Sequence, residues 1–155
     1  MLFLIFQLGE DRYALDTSDV VEVLPLLEVK SLPKAPAAVL GLFAYRSRTL
    51  PLIDLTALAL GRPSRARTST RIIVARVRDG AAEPRLIGLC AERATETMRC
   101  AESDFVAPPV TVRDAPYLGP VISDDRGIVQ RVSVDRLLPA DVLRVLVGEG
   151  AEAGA

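Results

Sequence analysis

Short apolar runs, many of them alternating with polar residues, recur along most of this chain and are separated by turn-forming residues. Such runs of four to eight residues, rich in Val, Ile, Leu and Phe, are typical of β-strands. The strands predicted from them are residues 2–8, 13–15, 20–24, 40–45, 50–53, 71–77, 85–90, 117–123 and 128–134, with 94–100 continuing the seventh. In the first run Phe3 and Ile5 point one way, and Leu4, Phe6 and Leu8 the other, so we expect this strand to be buried on both faces.

Helical spacing is confined to two places. Leu55 to Leu60 follows Asp54, a candidate N-cap, and is followed by Gly61. Near the C-terminus Pro139 suits a first turn, and four apolar residues fall on one side, namely Leu138, Val142, Leu143 and Leu146. Many short strands with two short helices predict an all-β barrel or sandwich, as one domain over residues 1–148 with a flexible tail at 149–155.

The stretch from residue 32 to residue 55 predicts the most distinctive local structure, a braced hairpin. Pro33 and Pro36 are expected to hold the approach extended, and Pro51 indicates an edge or end position for the returning strand. The turn at 46–48 carries Arg46 and Arg48 beside Tyr45. Tyr and Arg are enriched at protein–protein hot spots, so a projecting tip of this kind favours gripping another protein over catalysis.

Composition narrows the function further. The 155 residues include 19 basic and 20 acidic side chains, so the net charge of −1 offers no field to attract nucleic acid. Six arginines between residues 62 and 78 are interpreted as a solvated loop and strand edge, because no stacking aromatics accompany them. Histidine is absent, which removes the commonest general base and metal ligand.

Candidate chemistry is correspondingly sparse. Cys90 and Cys100 have neither zinc nor redox spacing and are interpreted as buried or bystander thiols. Carboxylates exist at 54, 92, 124, 125 and 135, but capping by Asp54 and turn formation at 124–125 explain most of them. We therefore expect no enzyme, no cofactor and no metal. The apolar N-terminus ends after Phe6, too short for a membrane span, so a cytoplasmic protein without direct membrane insertion is expected.

Several ordered blocks resemble the CheW family of chemosensory coupling proteins, over nearly the whole chain. The blocks are Phe3 to Gly9, Tyr13-Ala14-Leu15, Val20 to Val23, the set Pro33, Pro36, Gly41 and Arg46 followed by Leu50 to Leu55, Leu86 to Leu89, and Gly119 through 125–129 to 134–138. The tyrosine before Arg46 and the sequence Leu24-Pro25-Leu26 are similar to the Wsp-type surface-sensing branch, whose kinase drives a diguanylate cyclase.

This resemblance implies a fold, partners and a site. The fold would be two intertwined SH3-like five-stranded barrels making up one CheW-like domain. The partners would be the cytoplasmic signalling tip of a chemoreceptor and the regulatory domain of a chemotaxis-type histidine kinase, with room for self-association in arrays. The resemblance implies that Val20, Glu22, Gly41, Arg46 and Gly88 lie at or near these partner surfaces, and Tyr45 joins the site because of its place at the hairpin tip.

The hairpin tip departs from the family pattern at one turn position, and two alternative functions stand beside the adaptor role. The family usually has asparagine, leucine, arginine and glycine across the tip, where this chain has Ala44 to Ser47, and a serine in place of that glycine predicts a strained or reshaped turn. A small barrel enzyme or ligand-binding protein using serine and carboxylate groups is the alternative of a different class. A coupler that recruits a receptor without supporting kinase activation is the alternative within the family.

Overall fold

A computed structural model describes residues 1–78 and 83–153, with side chains described through residue 146. Nine strands form its framework: β1 Leu2–Leu8, β2 Asp11–Asp16, β3 Val20–Pro25, β4 Val39–Tyr45, β5 Arg48–Asp54, β6 Arg71–Val77, β7 Arg85–Arg99, β8 Leu118–Asp124 and β9 Gly127–Val132. Two α-helices accompany them, α1 Leu55–Leu60 and α2 Ala140–Ala153, together with three short 3-10 turns. The predicted strands and both helices are confirmed, and residues 85–99 form one continuous strand.

The strands build two five-stranded barrels that share β7. The first barrel joins the C-terminal half of β7 to β1, β2, β9 and β8 in that order. The second barrel joins β3, β6, the N-terminal half of β7, β5 and β4. Because the chain starts in the first barrel, builds the second and returns through β7, the barrels are intertwined.

The two barrels repeat one pairing scheme. In each, the order of neighbours is antiparallel, antiparallel, parallel and antiparallel, and the parallel step is β2–β9 in the first barrel and β5–β7 in the second. The hairpin β8–β9 therefore corresponds to the hairpin β4–β5. Tyr45 pairs with Arg48 beside one hairpin turn, and Asp124 pairs with Gly127 beside the other, so Tyr45 and Asp124 hold equivalent positions.

Three apolar clusters fill the fold. Leu4, Phe6 and Leu8 join the largest cluster, which lies between the barrels and α2, whereas Phe3 and Ile5 fill the first barrel. The prediction that β1 is buried on both faces is thus confirmed. A separate cluster fills the second barrel and contains Phe43, Tyr45, Leu50, Leu52, Ile72, Val74 and Cys90.

Local predictions around α1 are also confirmed. The Asp54 carboxylate accepts hydrogen bonds from the backbone N–H groups of Thr56 and Ala57, as an N-cap does. Gly61 ends the helix in the left-handed conformation, at φ +72°. Asp54 also accepts from the backbone N–H and the hydroxyl of Ser64, so the same buried carboxylate ties the start of the 62–70 connection to the barrel.

Two interpretations of the proline and arginine segments were wrong. Pro33 and Pro36 do not hold an extended approach, because each begins a turn, in which Ala35 N–H bonds to the Leu32 carbonyl and Val39 N–H to the Pro36 carbonyl. The arginine-rich β6 is no sheet edge, since it lies between β3 and β7. Pro51 does lie at an edge, because β5 meets β7 only from Leu52 onward.

Two further predictions fall at the limits of the described residues. The turn expected at 78–80 includes residues 79 and 80, which lie outside them. Helix α2 runs to Ala153, although the tail was expected to begin at residue 149. Residues 154–155 lie outside the described part, and a flexible tail there stays a prediction.

Candidate functional site

The two edge strands of the second barrel, β3 and β4, are joined by side chains at its open seam. In the described part of the chain no backbone ladder connects β3 with β4. Instead, one Glu22 oxygen accepts a hydrogen bond from the Tyr45 hydroxyl at 2.8 Å and from the Arg46 guanidinium at 2.8 Å. We call these three residues the Glu22 cluster. It ties the hairpin tip to the opposite edge of the barrel, so three of the six predicted site residues lie together.

Within this cluster Tyr45 does not project from the tip as expected. Its side chain is only 6% exposed and packs in the core of the second barrel, because it follows Phe43 on the inward face of β4. The hydrogen bond to Glu22 is the main cause that raises the pKa of Tyr45 above its usual value, so the hydroxyl stays protonated and donates.

Arg46 is the member of the cluster that faces solvent. Its side chain is 72% exposed although the ion pair with Glu22 orients it. Its guanidinium carbon lies 5.4 Å from the Tyr45 ring centroid, a cation–π distance. The result is a positive group held in place by a buried ring and a half-buried carboxylate, which lowers the ordering cost of binding a partner.

The tip turn itself is strained. Arg46 and Ser47 have φ of +44° and +64°, so both central residues occupy the left-handed region that a two-residue hairpin turn of type I′ requires. The strain predicted from the serine at position 47 is therefore confirmed. A type I′ turn still matches the twist of β4 and β5, so hairpin pairing continues to Tyr45 and Arg48.

Gly41 lies under a neighbouring backbone segment and is buried. A Cβ at this position would stand 2.0 Å from the Lys30 carbonyl oxygen, and its φ of +144° is unfavourable for other residues. The close approach lets Lys30 and Leu42 exchange two backbone hydrogen bonds of 2.8 Å. The absence of a side chain at Gly41 thereby lets the 26–31 segment pack against β4.

Gly88 lies in the core of the second barrel, where side chains crowd it. A Cβ there would be 2.4 Å from Phe43 Cε1 and 3.0 Å from Leu52 Cδ1. Close packing was predicted at this glycine, but against another backbone or a partner, and the neighbours are side chains of the same chain. Gly88 is buried, so it can affect a partner surface only through the neighbouring side chains, chiefly Phe43 and Leu52.

Val20 opens β3 and is separated from the Glu22 cluster by a change of register. A bulge between Val20 and Glu22 turns Val20 toward the cluster between the barrels, while Val21 and Leu24 pack on the second barrel. The six predicted site residues thus fall into four places. They are the Glu22 cluster, the backbone contact at Gly41, the buried packing position at Gly88 and the half-buried Val20.

One surface was missed as a site. Val23, Leu26 and Leu27 are 37–41% exposed on the edge strand β3 and the segment after it. Beside them a groove of about 470 Å³ runs between that segment and β4, lined by Glu28, Lys30, Leu42 and Thr49 among others. The apolar run at 24–27 is the signal for this surface in the sequence, but its edge position depends on the strand order, which the run itself does not determine.

Other site chemistry is limited in the described residues. They contain no cluster of three or more potential metal ligands. Burial raises the pKa of the Cys90 thiol to about 11, with the Asp54 carboxylate adding to the shift, and neither cysteine is in a disulfide. Among the helices described here, none combines the length and apolar character needed to cross a membrane.

Comparison with known proteins gives consistent results. The family model described as the CheW-like domain matches residues 2–142. The chain is 28% identical to a chemotaxis protein CheW of Helicobacter pylori over 72% of this chain and 65% of that protein. It is 26% identical to the CheW of Treponema pallidum over 91% of this chain and 84% of that protein.

A solved structure shares the fold. The scaffolding protein TtCheW from Thermoanaerobacter tengcongensis superposes with a TM-score of 0.77 at 22% identity, over 91% of this chain and 89% of that one. The family match spans both barrels and the start of α2, and it agrees with the two-barrel architecture described above. This chain belongs to the CheW-like domain family.

Proposed function

We propose that this protein is a non-catalytic adaptor that couples the cytoplasmic signalling tip of a chemoreceptor to the regulatory domain of a chemotaxis-type histidine kinase. The observation that carries the proposal is the Glu22 cluster, in which an exposed arginine is held on a buried frame. Two relatives are named chemotaxis protein CheW, which supports this reading. The described residues offer a braced surface for a protein partner and little reactive chemistry.

We further propose a subfamily for this adaptor. The tyrosine at position 45 and the Leu24-Pro25-Leu26 sequence support a Wsp-type coupler, with cyclic-di-GMP as the output of the pathway. Because Tyr45 is buried, its contribution would be to aim Arg46, and the exposed Leu26 would be the part that a partner contacts. We expect the protein to act in the cytoplasm, brought to the membrane by its receptor, and to join receptor arrays.

An enzyme or ligand-binding role of the barrel interiors is less favoured. Apolar side chains pack in the core of each barrel, and Phe3, Phe43 and Leu52 among them are each no more than 2% exposed. Among the carboxyl groups of the described residues, Asp124 has the largest pKa shift. The Arg12 guanidinium lowers its pKa to about 2, which keeps it ionised and poorly suited to proton transfer at neutral pH. The Cys90 thiol, with its pKa of about 11, is a weak nucleophile.

The direct test uses a charge reversal at the tip. Arg46→Glu should weaken binding of a receptor signalling domain, a kinase regulatory domain or both by at least about tenfold, as expected at an interface hot spot. Arg113→Glu is the matched control, because Arg113 is an exposed arginine in the 105–117 loop and the charge change is the same. Isothermal titration with both purified partners measures the effect, and circular dichroism checks the fold.

Unchanged affinity for both partners in Arg46→Glu, with the fold intact, would exclude the tip as a docking site. Leu26→Ser then tests the second exposed surface independently. A reconstituted kinase assay distinguishes an activating coupler from one that only recruits a receptor. An activating coupler raises kinase activity in the presence of receptor, whereas a coupler that only recruits binds the receptor and leaves kinase activity at its basal rate.

A further inference from the structure

The first barrel differs from the second at the end that carries the hairpin turn. In the second barrel the buried Tyr45 ring fills this end. In the first barrel the equivalent position holds Asp124, whose shorter side chain is 32% exposed and pairs with Arg12. A polar cavity of about 210 Å³ lies near this end, and its lining includes one carboxylate; the lining residues are Ile5, Gln7, Arg12, Ser69, Arg93, Thr95, Glu96 and Arg126.

Two ion pairs contribute side chains to the lining of this cavity. Arg12 is only 9% exposed and makes two hydrogen bonds to Asp124, of 2.9 and 2.5 Å. Arg126 makes two hydrogen bonds to Glu96, of 2.7 and 3.3 Å. The paired fork on the buried Arg12 holds its guanidinium plane in one orientation. Arg126 and Glu96 are 60% and 51% exposed, so their pair is held less firmly.

Arg93 supplies a charge that these pairs do not neutralise. Arg12 and Arg126 are balanced by two carboxylates, whereas the Arg93 guanidinium has no acidic partner in the described part of the chain. The cavity therefore carries one uncompensated positive charge. An uncompensated guanidinium in a concave polar site favours an anion.

The backbone at Arg93 is also unusual. The register between β1 and β7 shifts here, since Ile5 pairs with Glu96 but Gln7 pairs with Glu92. Within the resulting bulge Arg93 has a φ of +50°, which is unfavourable for an arginine. Ala94 turns inward into the core, while Arg93 and Thr95 stay exposed on the cavity side. Strain of this kind persists where the surrounding structure holds it and often accompanies ligand sites.

Three neutral donors complete the cavity. The Gln7 amide and the Ser69 and Thr95 hydroxyls make no side-chain hydrogen bond to any residue that the structure describes. Together with Arg93 they offer hydrogen bonds from several directions into one small space. A tetrahedral oxyanion accepts hydrogen bonds in this way, and the volume suits a single such group better than a whole nucleotide.

We propose that this cavity, formed at the β7 bulge of the first barrel, is a binding site for one phosphate-type oxyanion, with Arg93 as its principal ligand. The site is separate from the Glu22 cluster and lies on the other barrel. It does not depend on the proposed adaptor function.

Titration with inorganic phosphate tests the site. Amide shifts in ¹H–¹⁵N spectra of the full chain are followed as phosphate replaces chloride at constant ionic strength. We expect saturable shifts centred on Gln7, Ser69 and Thr95, with a Kd of about 1 mM. Arg93→Gln should raise that Kd about tenfold, whereas Arg113→Gln, an equal charge change outside the cavity, should leave it unchanged.

A second titration with adenosine monophosphate identifies the source of the oxyanion. Equal Kd values for the two ligands would support a site for the phosphate group alone, and tighter binding of the nucleotide through the same amides would support a phosphate carried by a larger molecule. Shifts that fail to saturate, or that respond equally to both arginine substitutions, would overturn the proposal. Because Arg93 is exposed, its substitution should leave the fold intact, and the spectrum of the free variant verifies this.

Discussion

Gly88→Ala is the substitution that best separates packing from partner contact at the predicted site. The added methyl group would lie 2.4 Å from Phe43 Cε1 and 2.7 Å from Phe43 Cζ. Carbon atoms pack at about 3.5–4.0 Å, so the ring must retreat by about 1 Å. Phe43 is only 2% exposed, which leaves it no open space to enter.

The expected cost follows from that geometry. Overpacking a filled core costs about 1–3 kcal/mol. Replacing a glycine inside a strand by alanine stabilises the folded state by about 0.5–1 kcal/mol, because alanine loses less backbone entropy on folding. The free energy of unfolding should therefore fall by about 1–2 kcal/mol. The affinity for a partner should fall as well, since Phe43 and Tyr45 lie on the same inward face of β4.

Urea unfolding measures the loss of stability. It is followed by circular dichroism, because the chain contains no tryptophan whose fluorescence could report unfolding. The matched variant is Phe43→Leu, which removes the ring that the methyl group would strike. The double variant should lose at least about 1 kcal/mol less free energy of unfolding than the sum of the losses in the two single variants. Its affinity for the partner should partly recover.

Additive costs in this cycle would refute the packing argument. Wild-type stability of Gly88→Ala together with lost binding would show that partners contact this position directly. Either result would contradict the buried placement of Gly88.

Three further predictions concern the strained turn, the buried cap and the charged end of the first barrel. Ser47→Gly should raise the free energy of unfolding by about 0.5–1 kcal/mol, because glycine tolerates the positive φ, and a lower thermal midpoint would contradict this. Asp54→Ala should lower the free energy of unfolding by about 3 kcal/mol, since the buried carboxylate accepts four hydrogen bonds. Ser64→Ala removes only one of those donors and should cost about 1 kcal/mol. Equal losses for the two variants in urea unfolding would count against the cap. The pKa of Asp124 is lowered to about 2 from 3.8, so its contribution to stability is present above pH 4 and is lost as the pH falls toward 2. Asp124→Asn should therefore be less stable than the wild type at pH 7 and equal to it near pH 2, and a gap that persists at pH 2 in acid unfolding curves would argue against the ion pair.

Local features were predictable from the sequence because neighbouring residues decide them. The alternation of apolar residues located nearly every strand, and the Asp54 and Gly61 signals bounded α1 correctly. The strained turn at Ser47 followed from a serine at a position that favours glycine. In the 32–38 segment the prediction was wrong, because proline is compatible both with an extended chain and with a turn; Pro33 is the first central residue of one turn and Pro36 is the first residue of the next.

The assembly of the site was beyond that kind of reasoning. The sequence by itself determined where strands and turns form, because those depend on steric and hydrophobic preferences over a few residues. Only the tertiary structure decided that Tyr45 is buried against Glu22, and that Arg12 meets an aspartate 112 residues away. Strand order and register are set by packing of the whole chain, and they alone bring such residues together.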